Sequence, residues 1–329
     1  MDVVVLTDRR YVGTDLVKGP VEGYVENVIL EDTLVCDALE RQGLRVSRHA
    51  WCDPKVIWSD VTCAVFRTTW DYFDRWAEFS AWLEATASKT TLLNAPSILE
   101  WNLDKHYLQD LEAEGIGVVP TVYLSQGSTL SMTEVMARRH WDDVVVKPAI
   151  AGGAYDTYRV TQTGDKTRIS PEPSMHEGSE TLWRTLLAKQ DMLIQPFLND
   201  VMESGEISLI WIDGEVTHGV WKRAKKDDFR VQDDHGGTVQ PMEPSDDMVT
   251  SAQDIMAKCI EHCQRRGWEK PLYARVDLMR DDQGTWLVSE LEMVEPELWF
   301  RFCPRAADVL AKAVLKRLSN QEVSSAGRT

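Results

Sequence analysis

Two periodicities alternate along the first hundred residues. An apolar run at Val3–Leu6 is followed by Leu34, Val35, Ala38 and Leu39, which recur at helical spacing within Glu31–Gln42. Gly43 follows, in the position that commonly closes a helix. Leu44–His49 and Val61–Phe66 then read as strands. Strand, helix, strand with short joints is the βαβ pattern of a parallel sheet. Beyond it the pattern predicts a helix over 73–85, a short strand at Leu92–Leu93, a helix over 98–114 broken by Gly115 and Gly117, and extended chain from Val118 to Leu124.

The middle of the chain is built on a smaller scale. A helix at Ser131–His140 precedes the strand Val144–Ile150, a small-residue loop at Ala151–Ala154, and a return to strand at Tyr158. The segment 162–180 is polar and rich in Pro, Ser and Gly, so it reads as a loop or loose edge. Thr181–Lys189 is helical and Asp191–Leu198 is a strand. Strands at 206–212 and 216–222 meet at Asp213-Gly214, a strong hairpin signal. A loop over 223–245 leads to a long helix at 246–265.

The last pattern is the most informative. Ala274, Val276 and Leu278 alternate with Arg275, Asp277 and Met279. After Asp281-Asp282-Gln283-Gly284, Trp286 and Val288 alternate in phase with Glu290 and Glu292, which predicts a second hairpin. A terminal helix at Ala306–Leu318 follows. The expected organisation is an α/β region over 1–120, a small region over 121–200, a larger one over 201–320 and a disordered tail over 321–329. No internal repeat is present.

Composition narrows the function. A net charge of -17 argues against an electrostatic nucleic-acid binder. No run approaches the ~18 apolar residues of a membrane span, and the N-terminus lacks the basic region of a signal peptide. The six cysteines form no CxxC pair, which fits reduced thiols and a cytoplasmic setting.

The charges on the second hairpin are its odd feature. Residues two apart share a strand face, so Arg275 and Asp277 lie together, as do Glu290 and Glu292. A solvated sheet face is one explanation. The other is a site for a hard cation such as Mg²⁺, because such a cluster is very costly in a core without one. Lys147 lies in Val-Val-Val-Lys-Pro, an otherwise buried strand, and needs an anion. Gly152 and Gly153 follow it in a loop whose backbone N–H groups can approach a phosphate. This is not a Walker loop, since no Gly-Lys-Ser/Thr is present. Arg67, Thr68, Trp70 and Asp71 follow a buried strand, where α/β sheets gather functional groups. They predict a substrate pocket, or else a turn with Thr69 or Asp71 capping a helix.

In order, Lys105, Lys147 with its glycine loop, Gln195-Pro196-Phe197, Gly205-Glu206, Phe229-Arg230 with Gly236-Gly237, Arg275-x-Asp277 and Glu290-x-Glu292 resemble the ATP-grasp superfamily of carboxylate–amine ligases over nearly the whole chain. The likeness is greatest to its D-cycloserine synthetase and glutathione-synthetase-like branch. The resemblance implies an ATP-grasp fold, ATP held by Lys105, Lys147, Gly152, Gly153 and the segment Gln195, Pro196, Phe197 and Leu198, and a ribose contact from Glu206. It implies Mg²⁺, with Mn²⁺ as a substitute, on Asp277, Glu290 and Glu292. Arg275 would stabilise the acyl-phosphate chemistry and Arg230 would hold a phosphate or carboxylate. One departure is Glu292, where the family often has asparagine. The expected activity is ATP-dependent ligation of a small, amino-acid-type substrate through an acyl-phosphate, releasing ADP and phosphate. Ring closure of an amino-acid derivative is the alternative, ahead of a small-molecule kinase or a non-catalytic ATP-binding regulator. Arg67, Trp70, Asp71 and Glu295, with Glu297, are the expected substrate residues. A homodimer is the expected assembly.

Overall fold

The structure is a computed structural model that describes all residues except 14–18, 20–21, 165, 174–177, 227, 233–234 and 327–329, and no side chains beyond 321. Three sheets organise it. In the first, β1 (Asp2–Thr7), β2 (Arg45–Ala50), β3 (Cys63–Thr68) and β4 (Thr91–Leu93) are parallel in the order β2-β1-β3-β4. β1 and β3 are buried almost throughout, as a parallel strand covered on both faces must be. The flanking helix α1 (Tyr24–Arg41) starts well before the apolar stripe indicates. Its inward face carries Glu31 and Asp32, which break the apolar pattern. Both take partners: Glu31 accepts from the Phe300 and Arg301 amides at 2.7 and 3.0 Å, and Asp32 accepts at one oxygen from Arg48 at 2.6 Å and Thr68 at 3.0 Å. Helix α2 (Trp76–Ala87) covers the aromatic core around Trp51, Phe66 and Phe79.

The helix expected over 98–114 is two helices, α3 (Pro96–Leu103) and α4 (Tyr107–Ala113). The break is fixed by the Lys105 amide donating to Ala149 O at 2.9 Å and by Asp104, which accepts from the His106 amide at 3.0 Å.

The second region has β5 (Val122–Leu124), β6 (Asp143–Pro148), β7 (Tyr158–Thr163), β8 (Lys166–Ser170) and β9 (Met192–Pro196) in the antiparallel order β5-β9-β6-β7-β8. Helix α5 (Met132–Arg139) begins with a reciprocal Ser131–Glu134 capping box, and α6 (Ser179–Lys189) packs beside it. β8 lies inside the segment expected to be a loop or loose edge, and it is the edge. Its polar sequence suits an edge strand, which needs only one pairing partner. This sheet encloses its own core of Val144, Val146, Val160, Met192 and Ile194.

After α7 (Asp200–Glu203), the third sheet runs β12-β11-β10-β13-β14, all antiparallel: β10 (Glu206–Ile212), β11 (Glu215–Arg223), β12 (Thr238–Met242), β13 (Tyr273–Arg280) and β14 (Trp286–Glu292). β12 too lies in a segment expected to be a loop. Helix α8 (Asp246–Arg265) matches its expected span. Helix α9 (Pro304–Ala326) runs past Leu318 through most of the expected tail, because no Gly or Pro interrupts it before Gly327; 327–329 lie outside the described residues. No helix among the described residues is long and apolar enough to cross a membrane.

The first and third sheets share one core. Val3, Val5 and Val65 pack in the same cluster as Ile210, Ile212, Tyr273, Leu310 and Val314. Asn94, just beyond β4, ties them by polar bonds. Its amide donates to Tyr273 O at 3.0 Å and Met293 O at 2.6 Å, and its oxygen accepts from the Leu272 amide at 2.5 Å.

Candidate active site

The β13–β14 pairing sets Arg275 opposite Glu292 and Asp277 opposite Glu290. Farther along the pair the phase changes. A bulge lets Val288 and Leu291, three apart, oppose Leu278 and Val276, two apart. Val288 therefore joins the core with Leu291 while Glu290 faces a cavity, so the two do not share a face as simple alternation predicts.

On the cavity face, Arg275 donates to both oxygens of Asp277 at 2.9 and 2.7 Å and to Glu292 at 2.5 Å. Lys147, from β6 across the cavity, donates to Glu290 at 2.8 Å. One oxygen from each of Asp277, Glu290 and Glu292 lies within 4.8 Å of the others. Ser208 donates to Asp277 at 2.5 Å, and Lys222 Nζ is 3.5 Å from it.

These acids are unequal. Burial tends to raise all three. For Glu290 the pull of Lys147 and Lys105 outweighs burial and holds the carboxyl well below the usual range. For Asp277, Arg275 and Lys222 likewise win. Glu292 is pushed up to about 8 by burial and by repulsion from Asp277, Glu290 and Glu295, against the pull of Arg275.

The facing wall comes from the second sheet and the α3–α4 break. Lys105 is buried in that break, with Nζ donating to Ala151 O at 2.5 Å. Gly152 tolerates no more than hydrogen on its α-carbon without adjustment, since a Cβ there would stand 3.2 Å from the Phe73 ring. Gly153 has φ 55°, and its carbonyl accepts from His235 Nε2 at 3.0 Å. At the end of β9, Gln195 donates to Thr121 at 2.9 Å, and Phe197 stacks under Arg159, whose guanidinium carbon is 3.5 Å from the ring centre. Pro196 and Leu198 also line the cavity, whose volume is about 810 Å³. Arg230 lines it too, paired with Asp228 at 2.7 Å. Glu206 reaches the same cavity but commits one oxygen to an ion pair with Lys222 and accepts from Ser289 at 3.1 Å with the other.

Lys222 reads in the sequence as a basic residue at a strand end, but its pairing with Glu206 is not legible there. A plain two-residue turn at Asp213-Gly214 would set Glu206 against Trp221. A register shift at Ile210/Trp211 sets it against Lys222 instead. Tyr72 and Ser289 were equally hidden, one after a tight turn and the other at the β14 bulge, and both line the cavity.

The expected substrate residues divide. Trp70 and Glu295 line the cavity, and Trp70 Nε1 donates to Glu295 O at 2.9 Å. Arg67 does not reach it: this residue is the penultimate one of β3, fully buried, donating to Pro296 O at 3.0 Å with its guanidinium over Phe300. Asp71 is neither cavity-lining nor a helix cap; it accepts from Trp51 and Arg75, each at 2.6 Å. Glu297 lines the cavity and pairs with Arg301 at 2.5 Å.

A parallel α/β unit fused to an antiparallel sheet, with a second antiparallel sheet closing a lysine-and-glycine wall over an acidic hairpin, is the ATP-grasp fold. A solved "ATP-grasp ligase PsnB complexed with phosphomimetic variant of minimal precursor, Mg, and ADP" superposes with a TM-score of 0.56 over 96% of this chain and 98% of its own, at 14% identity. Nearer likenesses are specific. Residues 3–94 match the family described as D-cycloserine synthetase DcsG, N-terminal domain. The cycloserine biosynthesis protein DcsG of Streptomyces lavendulae is 31% identical over 287 residues, 86% of this chain and 92% of that protein. A crystal structure of D-cycloserine synthetase DcsG superposes with a TM-score of 0.78 over 97% of this chain and all of that one, at 26% identity. The chain belongs to the DcsG family of ATP-grasp ligases.

Proposed function

We propose that the chain uses ATP to phosphorylate the carboxylate of a small amino-acid-type substrate and then forms a carbon–nitrogen bond, releasing ADP and phosphate. The observation that carries this reading is the meeting of Asp277, Glu290 and Glu292 with Arg275 beside them and Lys147 reaching across one cavity. Carboxylate oxygens alone form the donor set a hard divalent cation takes, so the three acids fit Mg²⁺, or Mn²⁺ in its place. When bound, such an ion neutralises phosphate oxygens during transfer. Lys105 and Lys147 are read as phosphate contacts, Gly152 and Gly153 as the loop over the phosphates, and Gln195 to Leu198 as the adenine edge. Glu206 reaches a ribose only by sharing its contacts with Lys222 and Ser289. Arg230 holds a phosphate or the substrate carboxylate.

In this reading a substrate carboxylate oxygen takes the γ-phosphoryl group and ADP leaves. An amine nitrogen then attacks the acyl carbon, phosphate leaves, and the nitrogen gives up a proton. Arg275 is placed to stabilise the oxyanion between these events. A small molecule in a reducing, cytoplasmic setting suits the cavity and the six free thiols.

Ring closure is the specific form favoured by likeness to DcsG, since cycloserine is a cyclic amino-acid derivative. One assay separates the readings. Purified protein, ATP and Mg²⁺ are tested against a panel of amino-acid-type carboxylates, with and without hydroxylamine. A hydroxamate demonstrates an activated acyl group and removes the kinase reading. A product of one substrate molecule less one water identifies ring closure; a product joining two molecules, alike or different, identifies ligation. ATP binding without ADP release under any condition overturns both in favour of a regulator.

A further inference from the structure

The cavity also has an aromatic part. It is lined by Trp70, Tyr72, Phe73 and Tyr155, and the Phe73 and Tyr155 rings pack against each other with centres 5.2 Å apart. Glu295 projects into this part: a Cβ placed on Gly152 would lie 3.9 Å from its Oε1. Its backbone is pinned by Trp70, and the Tyr72 phenol acts on its carboxyl electrostatically.

The carboxylates around this cavity are almost all accounted for. Asp277, Glu290, Glu292, Glu206, Glu297 and Asp156 each have a lysine or arginine nitrogen within 4 Å. Asp74 stands exposed to solvent. Glu295 is half-buried and, among the described residues, has no cation at ion-pair distance, although it lies within the electrostatic reach of Lys105 and Arg275. Burial pushes it up to about 7, against the pull of the Tyr72 phenol. A half-buried carboxylate with a fixed backbone and aromatic walls, but no cation, is complementary to an organic ammonium group.

We infer that Glu295 receives the amino group of the substrate, within the wall of Trp70, Tyr72 and Phe73, so that the substrate carboxylate is turned toward Arg275 and the phosphate-bearing end. This deepens the ligase reading and rests on it. It names the substrate as an amine-bearing carboxylic acid and fixes its polarity in the cavity.

The test uses hydroxamate formation with full-length protein, ATP and Mg²⁺, on matched pairs of acids: each α-amino acid beside its deamino and its N-acetyl counterpart. Wild type is expected to prefer the free amine. Glu295→Gln is expected to lower that preference in kcat/KM by at least about 30-fold, the lower end for removing one partner of a buried charge pair, with KM for ATP unchanged. Equal hydroxamate from both members of every pair in wild type would overturn the subsite while leaving the ligase reading standing. So would a Glu295→Gln variant that retains the preference. Should Glu295→Gln fail to fold, the wild-type pairs decide the matter alone. No hydroxamate from any acid, despite measurable ATP binding, would overturn the ligase reading and the subsite with it.

Discussion

Two buried arginines end up in opposite roles. Arg275 and Arg67 both follow apolar strand positions, and each is nine-tenths or more buried. Arg275 faces the cavity and meets two carboxylates. Arg67 faces away from it and meets one carbonyl, Pro296 O, while its Nε and Nη2 have no partner among the described residues. The first charge is balanced by acids that a phosphate or metal can engage. The second supports a strap, residues 295–301, that bears cavity residues. Trp70, Arg67, His218 and Glu31 each hold a backbone group of that strap, at Glu295, Pro296, Leu298 and Phe300. A buried charge thus marks a site only where its partners are themselves exchangeable.

The largest expected effect tests the first arginine's surroundings. Asp277→Asn and Glu290→Gln should each lower turnover by on the order of 10³-fold, with the fold retained by circular dichroism. Near-normal ADP release in either variant would remove the metal assignment. For the second arginine, Arg67→Ala should cost about 3–5 kcal/mol in denaturant unfolding, from the cavity left and the stranded carbonyl. The rate per folded molecule should stay within about tenfold of wild type. Unchanged stability with a rate loss matching that of Arg275→Met would mean that Arg67 reaches the substrate after all.

A smaller effect lies in the strap's pH response. His218 Nε2 donates to Leu298 O at 2.8 Å, Nδ1 faces the Thr217 hydroxyl at 2.9 Å, and burial lowers the ring to about 4. Its ordinary value is 6.5. The unfolded chain therefore takes up the proton first. Stability from the neutral ring is complete above 6.5 and declines as pH falls toward 4, by up to about 3 kcal/mol. Unfolding measured across that window should show a shallower decline in His218→Gln; identical slopes would refute the assignment. The smallest effect is at Gly152→Ala. Contact with Phe73 should cost about 1 kcal/mol, seen as a several-fold rise in KM for ATP that Phe73→Leu relieves. No rescue would mean that the Gly152 loop does not rest on Phe73 during turnover.

What the sequence made legible follows from local periodicity. The hairpin carrying Arg275, Asp277, Glu290 and Glu292, the strand bearing Lys147 and the Asp213-Gly214 turn were all readable, because alternation and turn chemistry act between near neighbours. The extent of α1 was obscured because Glu31 and Asp32 take partners far along the chain, at Phe300 and at Arg48. The pairing of Lys222 with Glu206 was hidden by a one-residue register shift, and Val288 changed face at a bulge. Arg67 and Asp71 looked like pocket residues because strand-end position does not reveal which way a side chain turns. The direction came from Pro296 for one and from Trp51 and Arg75 for the other.

The division of the cores has a mechanical consequence. The first and third sheets interlock through Val65, Tyr273 and Leu310 and are clamped by Asn94, so parting them would wet a shared interior. The second sheet carries its own apolar filling, and Ala149 and Leu193 are its buried residues that enter a neighbouring cluster. Swinging it outward leaves that filling dry. The molecule is thus one stiff half and one jaw, with Lys147 and the Gly152 loop as teeth. The least costly way to admit or shed a nucleotide is to lift the jaw as a unit.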